Sequence, residues 1–285
     1  MPIGIGIDSF AYHRYFGECT KWETPLDVRW TTDDFLKRAV SLGVSSVSLQ
    51  TAYLGDLTPD FIGDLRGKLA ALSLKPTLAW GHPDGLQGGE NAERFAALRA
   101  LLPLAKTLGA DVVRFVCGNH FFFKVPATER RQRLLPLLRE IVAEAAALNV
   151  TLAVENHADF TMAELVAMVR EVGDPRLGIC FDTGNSVRVG DDLLAAARLA
   201  APLVKMVHLK DMTVIPESRG DPTRWWPTVP LGRGEFDLPG FVATLRRAGF
   251  DGTLFVELAN MHPDFPDEDA AVAEGVAWLR MLLAK

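Results

Sequence analysis

Eight short β-branched or apolar runs are each followed by a segment with helical periodicity, and this alternation leaves few folds open. The runs are Ile3–Asp8, Val44–Leu49, Leu74–Trp80, Asp111–Cys117, Val150–Glu155, Leu177–Asp182, Val204–Lys210 and Thr253–Glu257. The helical segments are Asp33–Leu42, Pro59–Leu72, Ala92–Leu108, Glu129–Leu148, Met162–Val172, Asp192–Ala200, Leu238–Ala248 and Asp269–Leu283. Several of the runs are apolar throughout, as strands are when helices cover a parallel sheet. Thr32-Asp33 and Thr161 stand where helices should start, Gly43 and Gly109 where they should end, and Pro239 suits a first turn. Eight strand–helix units across 285 residues, about 36 residues each, predict an α/β fold, a (β/α)8 (TIM) barrel forming a single domain over residues 1–285. An open doubly wound sheet is the competitor. It is disfavoured because Gly4-Ile5-Gly6 lacks the following x-x-Gly and no phosphate-binding P-loop pattern occurs.

Composition narrows the functional classes. Every long apolar run is interrupted by Arg, Lys, Asp or Glu, so no membrane span is expected. No basic segment followed by an apolar one opens the chain, so no secretion signal is expected either. Cys19, Cys117 and Cys180 are an odd set without CxxC spacing, which points to reduced thiols and a cytoplasmic enzyme. The net charge of −6 argues against nucleic acid as a partner.

Two loops are long for connections from a strand to its helix. Ser9–Thr31 carries Trp22 and Trp30, and Asp211–Asp237 carries Arg219, Arg224, Trp225 and Trp226. Both leave the C-terminal ends of strands, the face where barrels of this kind build active sites. They read equally well as lids or as a dimer interface, so a homo-oligomer stays open.

All six histidines fall at or beyond a predicted strand end: His13, His82, His120, His157 and His262 follow strands, and His208 lies within one. Glu155, Asp182 and Glu257 also end predicted strands. With His208 they form a set of three carboxylates and one imidazole on one rim. Clustered carboxylates repel one another and are costly to desolvate unless a cation neutralises them. Such an oxygen-rich set suits Mn²⁺ first, with Mg²⁺, Co²⁺ or Zn²⁺ also compatible. The bland alternative is that each carboxylate caps a helix or pairs with a neighbouring Arg or Lys.

Leu-Ala-Val-Glu155-Asn-His, Gly-Ile-Cys-Phe-Asp182-Thr-Gly-Asn185, Val-His208-Leu-Lys210-Asp211, Leu-Gly232-Arg-Gly234-Glu-Phe-Asp and Phe-Val-Glu257 occur in this order. The chain thereby resembles the xylose isomerase-like barrels of sugar phosphate isomerases and epimerases, a superfamily that also includes endonuclease IV, inosose dehydratase and dehydroshikimate dehydratase. The resemblance implies one divalent metal held by Glu155, Asp182, His208 and Glu257. It also implies that Glu155 and Glu257 exchange a proton beside the carbonyl of a ketose or keto-polyol, through a metal-stabilised cis-enediolate.

Two departures favour a second reading. Ketose epimerases commonly carry a histidine where this chain has Asn185, which binds a hydroxyl but transfers no proton near neutral pH. Strand five also ends Glu155-Asn156-His157 rather than Glu-Pro. In extended backbone Glu155 and His157 point the same way. A proton-donating His157 beside the metal suits a lyase on an oxidised sugar, by dehydration, decarboxylation or cleavage of a 3-keto glycoside; alternatively it supports a metal ligand from behind. The substrate-binding candidates are Asn185, Lys210, Arg219, His82 and Trp80. Lys210 binds a substrate oxyanion or pairs with a carboxylate, and Arg219 is equally a surface residue. Trp80 stacks on a sugar or fills the barrel top, and Phe121-Phe122-Phe123 walls the pocket or joins an interface. Nuclease chemistry is disfavoured because Asp211–Asp237 contains no histidine. The intact four-residue set also disfavours a non-catalytic binding protein.

Overall fold

The computed structural model describes residues 3–20, 23–119, 125–213 and 227–285. Eight parallel strands close into a barrel: β1 (Gly4–Asp8), β2 (Ser46–Gln50), β3 (Lys75–Trp80), β4 (Val112–Val116), β5 (Thr151–Glu155), β6 (Leu177–Asp182), β7 (Val204–Leu209) and β10 (Thr253–Val256). Around the barrel the order is β1-β10-β7-β6-β5-β4-β3-β2, so each barrel strand pairs with its predecessor and its successor in the chain. Two short antiparallel strands, β8 (Asp211–Met212) and β9 (Thr228–Val229), lie in the connection after β7. The open-sheet alternative is excluded by the pairing of β1 with both β2 and β10.

The covering helices are α1 (Thr32–Ser41), α2 (Pro59–Ala71), α3 (Ala92–Leu108), α4 (Ala127–Leu148), α5 (Met162–Val172), α7 (Leu193–Ala200), α8 (Leu238–Arg247) and α9 (Glu268–Leu283). Their ends have local causes. Thr161 and Glu164 form a reciprocal capping box at the start of α5, and Gly109 ends α3 in the left-handed conformation at φ 86°. Helix α1 is capped by Thr31, one residue earlier than the expected Thr32-Asp33. A short extra helix, α6 (Thr183–Arg188), follows β6 directly because the Asp182 side chain accepts from the Asn185 amide. Its sequence, Thr-Gly-Asn-Ser-Val-Arg, has no apolar periodicity to announce it.

Two apolar layers hold the barrel. Outward-facing strand residues such as Ile7, Leu78, Phe115, Val154 and Phe181 pack against the helices in one continuous core. Inside the barrel, Ala153, Cys180, Met206 and Phe255 form a separate small cluster. Gly6 faces Phe255 here, and a Cβ on it would lie 2.5 Å from the ring, so only glycine fits in that position. This plug closes the lower barrel and leaves the next inward-facing tier, two residues further along each strand, at the mouth. Among the described residues no helix is long and apolar enough to cross a membrane, and the three cysteines are free thiols.

Candidate active site

The tier above the plug is polar. Strand parity carries Ala153 to Glu155 on β5, Cys180 to Asp182 on β6, Met206 to His208 on β7 and Phe255 to Glu257 beyond β10. Asp182 pairs with His208 across the ladder, and His208 pairs with Phe255. The four expected residues therefore converge. His208 Nδ1 lies 2.7 Å from Glu257 Oε2 and 3.1 Å from Glu155 Oε2. Asp182, His208 and Glu257 each bring one donor atom within 4.8 Å of the others, and Glu155, Cys180 and His208 do the same.

Two further charged residues that the sequence reading passed over complete the cluster. Asp8, at the end of β1, places Oδ2 3.4 Å from His208 Nε2. Arg114, in the middle of β4 with inward parity, donates through Nε to Glu155 Oε2. Both had signals: Asp8 ends its strand as the other three carboxylates do, and Arg114 interrupts the apolar run Val-Val-Arg-Phe-Val.

Charge decides what the cluster can do. Asp8, Glu155, Asp182 and Glu257 are all 2% exposed or less. Arg114 pairs with Glu155, and Lys210 Nζ lies 2.8 Å from Asp182 Oδ2 and 3.5 Å from Glu257 Oε2. Four carboxylates thus face two directly paired cations, with Arg188 acting on Asp182 and Glu257 at longer range. Asp182 Oδ2, His208 Nδ1 and Glu257 Oε2 are buried and held by these short contacts with one another and with Lys210. Burial drives the Asp8 and Asp182 pKa values up. Burial would lower His208, but Cys180, Glu257 and Glu155 together raise it well above the imidazole range. The cluster so arranged takes up protons to offset its negative charge, which is what a divalent cation does instead. The donors of Asp182, His208 and Glu257, with Glu155 on the same imidazole, are of the kind that fits such an ion.

The profile of the family described as xylose isomerase-like TIM barrel matches residues 36–282. The chain belongs to that family. It is 23% identical over 198 residues to the L-ribulose-5-phosphate 3-epimerase UlaE of Escherichia coli O157:H7, a match covering 68% of this chain and 65% of that relative's length. Among solved structures it resembles a xylose isomerase domain protein from Planctomyces limnophilus (TM-score 0.76, 20% identity, covering 99% of this chain and 96% of that one). It also resembles the IOLI protein with a binding zinc atom (TM-score 0.74, 16% identity, covering 99% and 98%).

Other rim residues of this xylose isomerase-like barrel divide into those at the cluster and those away from it. Asn185 Nδ2 donates to Glu155 Oε1 at 3.2 Å, so it touches a carboxylate of the cluster. Of the two readings of Lys210, the pairing with a carboxylate is the one observed. Its backbone is fixed by Thr183 Oγ1, which accepts from the Lys210 amide and donates to the Lys210 carbonyl, both at 2.8 Å. Asn156 extends the β5–β6 ladder by one step: its Nδ2 donates to the Asp182 carbonyl and its Oδ1 accepts from the Asp182 amide, both at 2.8 Å. Asp211 gathers the amides of Gly232 and Gly234 on Oδ2 and that of Phe236 on Oδ1. That is the physical content of the glycine-rich motif after β9: a Cβ on Gly234 would fall 2.1 Å from Asp211 Oδ1.

His157 stands beside Glu155, its Nδ1 donating to the Gly118 carbonyl at 2.9 Å. Burial lowers its pKa to about 4, with Glu155 opposing and Arg114 adding to the shift. With Nδ1 donating, Nε2 is the ring's remaining hydrogen-bonding atom. Trp80 needs a correction. It has the opposite parity to Ala79, whose ladder partner Arg114 points inward, and it packs in the outer core beneath the Arg94 guanidinium at 5.3 Å. His82 is tied to Glu18, Nε2 to Oε1 at 2.7 Å, away from the four-residue cluster.

His13 is buried and holds a loop: its Nε2 donates to Glu23 at 2.8 Å and its Nδ1 to the Phe10 carbonyl at 2.9 Å. His262 Nδ1 accepts from the Asp264 amide in the loop after β10. Arg219, His120 and Phe121–Phe123 lie outside the described residues.

Proposed function

We propose that this protein is a divalent-metal-dependent isomerase or epimerase that moves a proton on the carbon beside the carbonyl of a ketose or keto-polyol. The observation carrying this reading is the grouping at His208: Glu257 and Glu155 lie 2.7 and 3.1 Å from its Nδ1, and Asp182 brings a donor within 4.8 Å of donors of His208 and Glu257. The L-ribulose-5-phosphate 3-epimerase relative supports the reaction class, and the zinc-binding structural neighbour supports a metal in this fold. Glu155, Asp182, His208 and Glu257 hold the cation, Mn²⁺ first. When bound, it supplies electrostatic stabilisation of the negative charge that develops on the substrate oxygens.

This chain's residues divide the remaining work. Glu257 is ionised, with a pKa of about 2: burial would raise it, but His208 and Lys210 overcome that. Its Oε2 lies 2.7 Å from His208 Nδ1 and 3.5 Å from Lys210 Nζ, and as an ionised carboxylate it is the group that takes the proton. Both oxygens of Glu155 are engaged, by Arg114 and by Asn185, which fix its orientation. The two glutamates exchange the proton from opposite faces of the substrate, and His157 Nε2 accepts a substrate hydroxyl.

Metal-loaded protein is incubated with ketoses and 3-keto sugars in D₂O and followed by NMR. Deuterium at an inverted carbon supports the epimerase. Loss of water, carbon dioxide or an aglycone supports instead the lyase reading, with His157 as its acid/base group. Absence of both exchange and cleavage across the panel contradicts this class of function.

A further inference from the structure

Around the closed barrel, β2 and β3 lie opposite β6 and β7, which carry Asp182 and His208. The β2–β3 side of the mouth has its own polar cluster. Glu18, from the loop after β1, binds His82 Nε2 through Oε1 and the Tyr53 hydroxyl through Oε2, both at 2.7 Å. Phe10 packs on both partners, its ring centroid 4.7 Å from His82 and 6.4 Å from Tyr53. Phe10 is itself fixed to the metal side of the mouth, since its amide donates to Asp8 Oδ1 at 2.7 Å. Asp8 and Glu257 both act on the Tyr53 hydroxyl, which places the two clusters within electrostatic reach of each other.

We propose that Glu18, Tyr53 and His82 form a second substrate subsite, one that takes the uncharged, hydroxyl-bearing end of the sugar and excludes a phosphate. This rests on the function proposed above and adds the substrate class. The donor and acceptor inventory supports it. Burial and Glu18 keep the proton on Tyr53, so Tyr53 donates to Glu18. Burial opposes ionisation of Glu18, yet the hydrogen bonds from His82 and Tyr53 keep its pKa below the ordinary carboxylate value. His82 gives Nε2–H to Glu18, which leaves Nδ1 as its remaining hydrogen-bonding atom. Gln50, the inward residue ending β2, buries an amide oxygen that has no hydrogen-bond partner.

The subsite therefore presents acceptors around a fixed negative charge, and sugar hydroxyls donate to acceptors. A phosphate dianion brings only acceptors and a like charge. The neighbouring arginines among the described residues are committed elsewhere. Arg14 binds Glu268 and two carbonyls, Arg29 binds the carbonyls of Leu26 and Val28, and Arg94 binds the Gly85 carbonyl over Trp80.

The test uses the metal-loaded full chain and matched pairs: free ketopentoses and ketohexoses and their terminal phosphate esters. The free sugar is expected to exceed its ester in kcat/KM by about tenfold or more. Glu18→Gln should raise KM for the free sugar roughly tenfold with kcat changed far less, and should narrow the discrimination against the ester. A preference for the ester, or an unchanged KM in Glu18→Gln, overturns the subsite. Calorimetry with the corresponding sugar alcohols, which cannot react, separates this from failure of the enzymatic reading. Wild-type protein that binds the alcohol and Glu18→Gln that loses it support the subsite even without turnover. Equal binding by the two, or none by the wild type, overturns it.

Discussion

Asp8 Oδ2 lies 3.4 Å from His208 Nε2, on the far side of the imidazole from Nδ1, which meets Glu257 Oε2 at 2.7 Å. Both side chains are fully buried, and the Phe10 amide fixes the other Asp8 oxygen at 2.7 Å. A carboxylate behind a ligating histidine holds the proton on the outer nitrogen and turns the inner lone pair toward the metal. Asp8→Leu should therefore weaken cation affinity roughly 10- to 100-fold, whereas Asp8→Asn, which keeps an oxygen acceptor, should lose much less. Chelator competition measures both, and equal losses in the two variants would contradict the orienting role.

The Arg114–Glu155 pair is almost wholly inaccessible to solvent, its side chains 2% and 1% exposed. Removing one partner of a buried ion pair leaves an uncompensated charge, so Arg114→Met should destabilise the metal-free protein by about 3–5 kcal/mol in urea unfolding. Arg114→Met combined with Glu155→Gln should recover part of that loss. A double variant as unstable as the sum of the two single changes would contradict the pairing.

A pH dependence follows from His13. Burial lowers its pKa, but Glu23 and Glu268 outweigh that and raise it above the ordinary imidazole value. Burial raises Glu23, while His13 and Thr20 bring it to about 2. A raised histidine pKa stabilises the fold fully below the unfolded value of about 6.5, and the effect is lost as pH rises through the folded value. The lowered Glu23 pKa contributes above about 4.5, its ordinary value, and that contribution is lost as pH falls toward 2. The Tm advantage of wild type over His13→Gln should accordingly peak near pH 5–6 and shrink at alkaline pH. A difference that grows on the alkaline side would contradict the charge assignment.

Trp80 gives a contrasting case. Packed in the outer core, it should act on stability rather than on substrate. Trp80→Ala is expected to cost about 3–5 kcal/mol while leaving KM for any substrate nearly unchanged. A large rise in KM at near-normal stability would return it to the mouth.

These residues also show what the sequence made legible. The strand–helix alternation made every barrel strand legible, because each carries apolar residues on its helix-facing side and helix caps punctuate the chain. Glu155, Asp182, His208 and Glu257 were readable because parity at a strand end needs no tertiary information. Asp8 obeyed the same rule but lacked a motif to draw attention to it. Arg114 was hidden because a charge inside an apolar strand takes its meaning only from the partner across the ladder. Trp80 read either as a sugar-stacking ring or as filler of the barrel top, and parity explains why it is neither: at the rim, a residue adjacent to an inward position faces the helices. The Glu18–Tyr53–His82 grouping joins three separate connections, and no spacing rule links them.

Addition of divalent cation to chelator-stripped protein, followed by calorimetry and elemental analysis, bears most directly on the proposed chemistry. Wild type should bind roughly one ion per chain with a rise in Tm, and Asp182→Asn and Glu257→Gln should each lose most of that affinity while remaining folded. A wild-type protein that binds no Mn²⁺, Mg²⁺, Co²⁺ or Zn²⁺ and shows no cation-dependent Tm would contradict the metal-dependent reading.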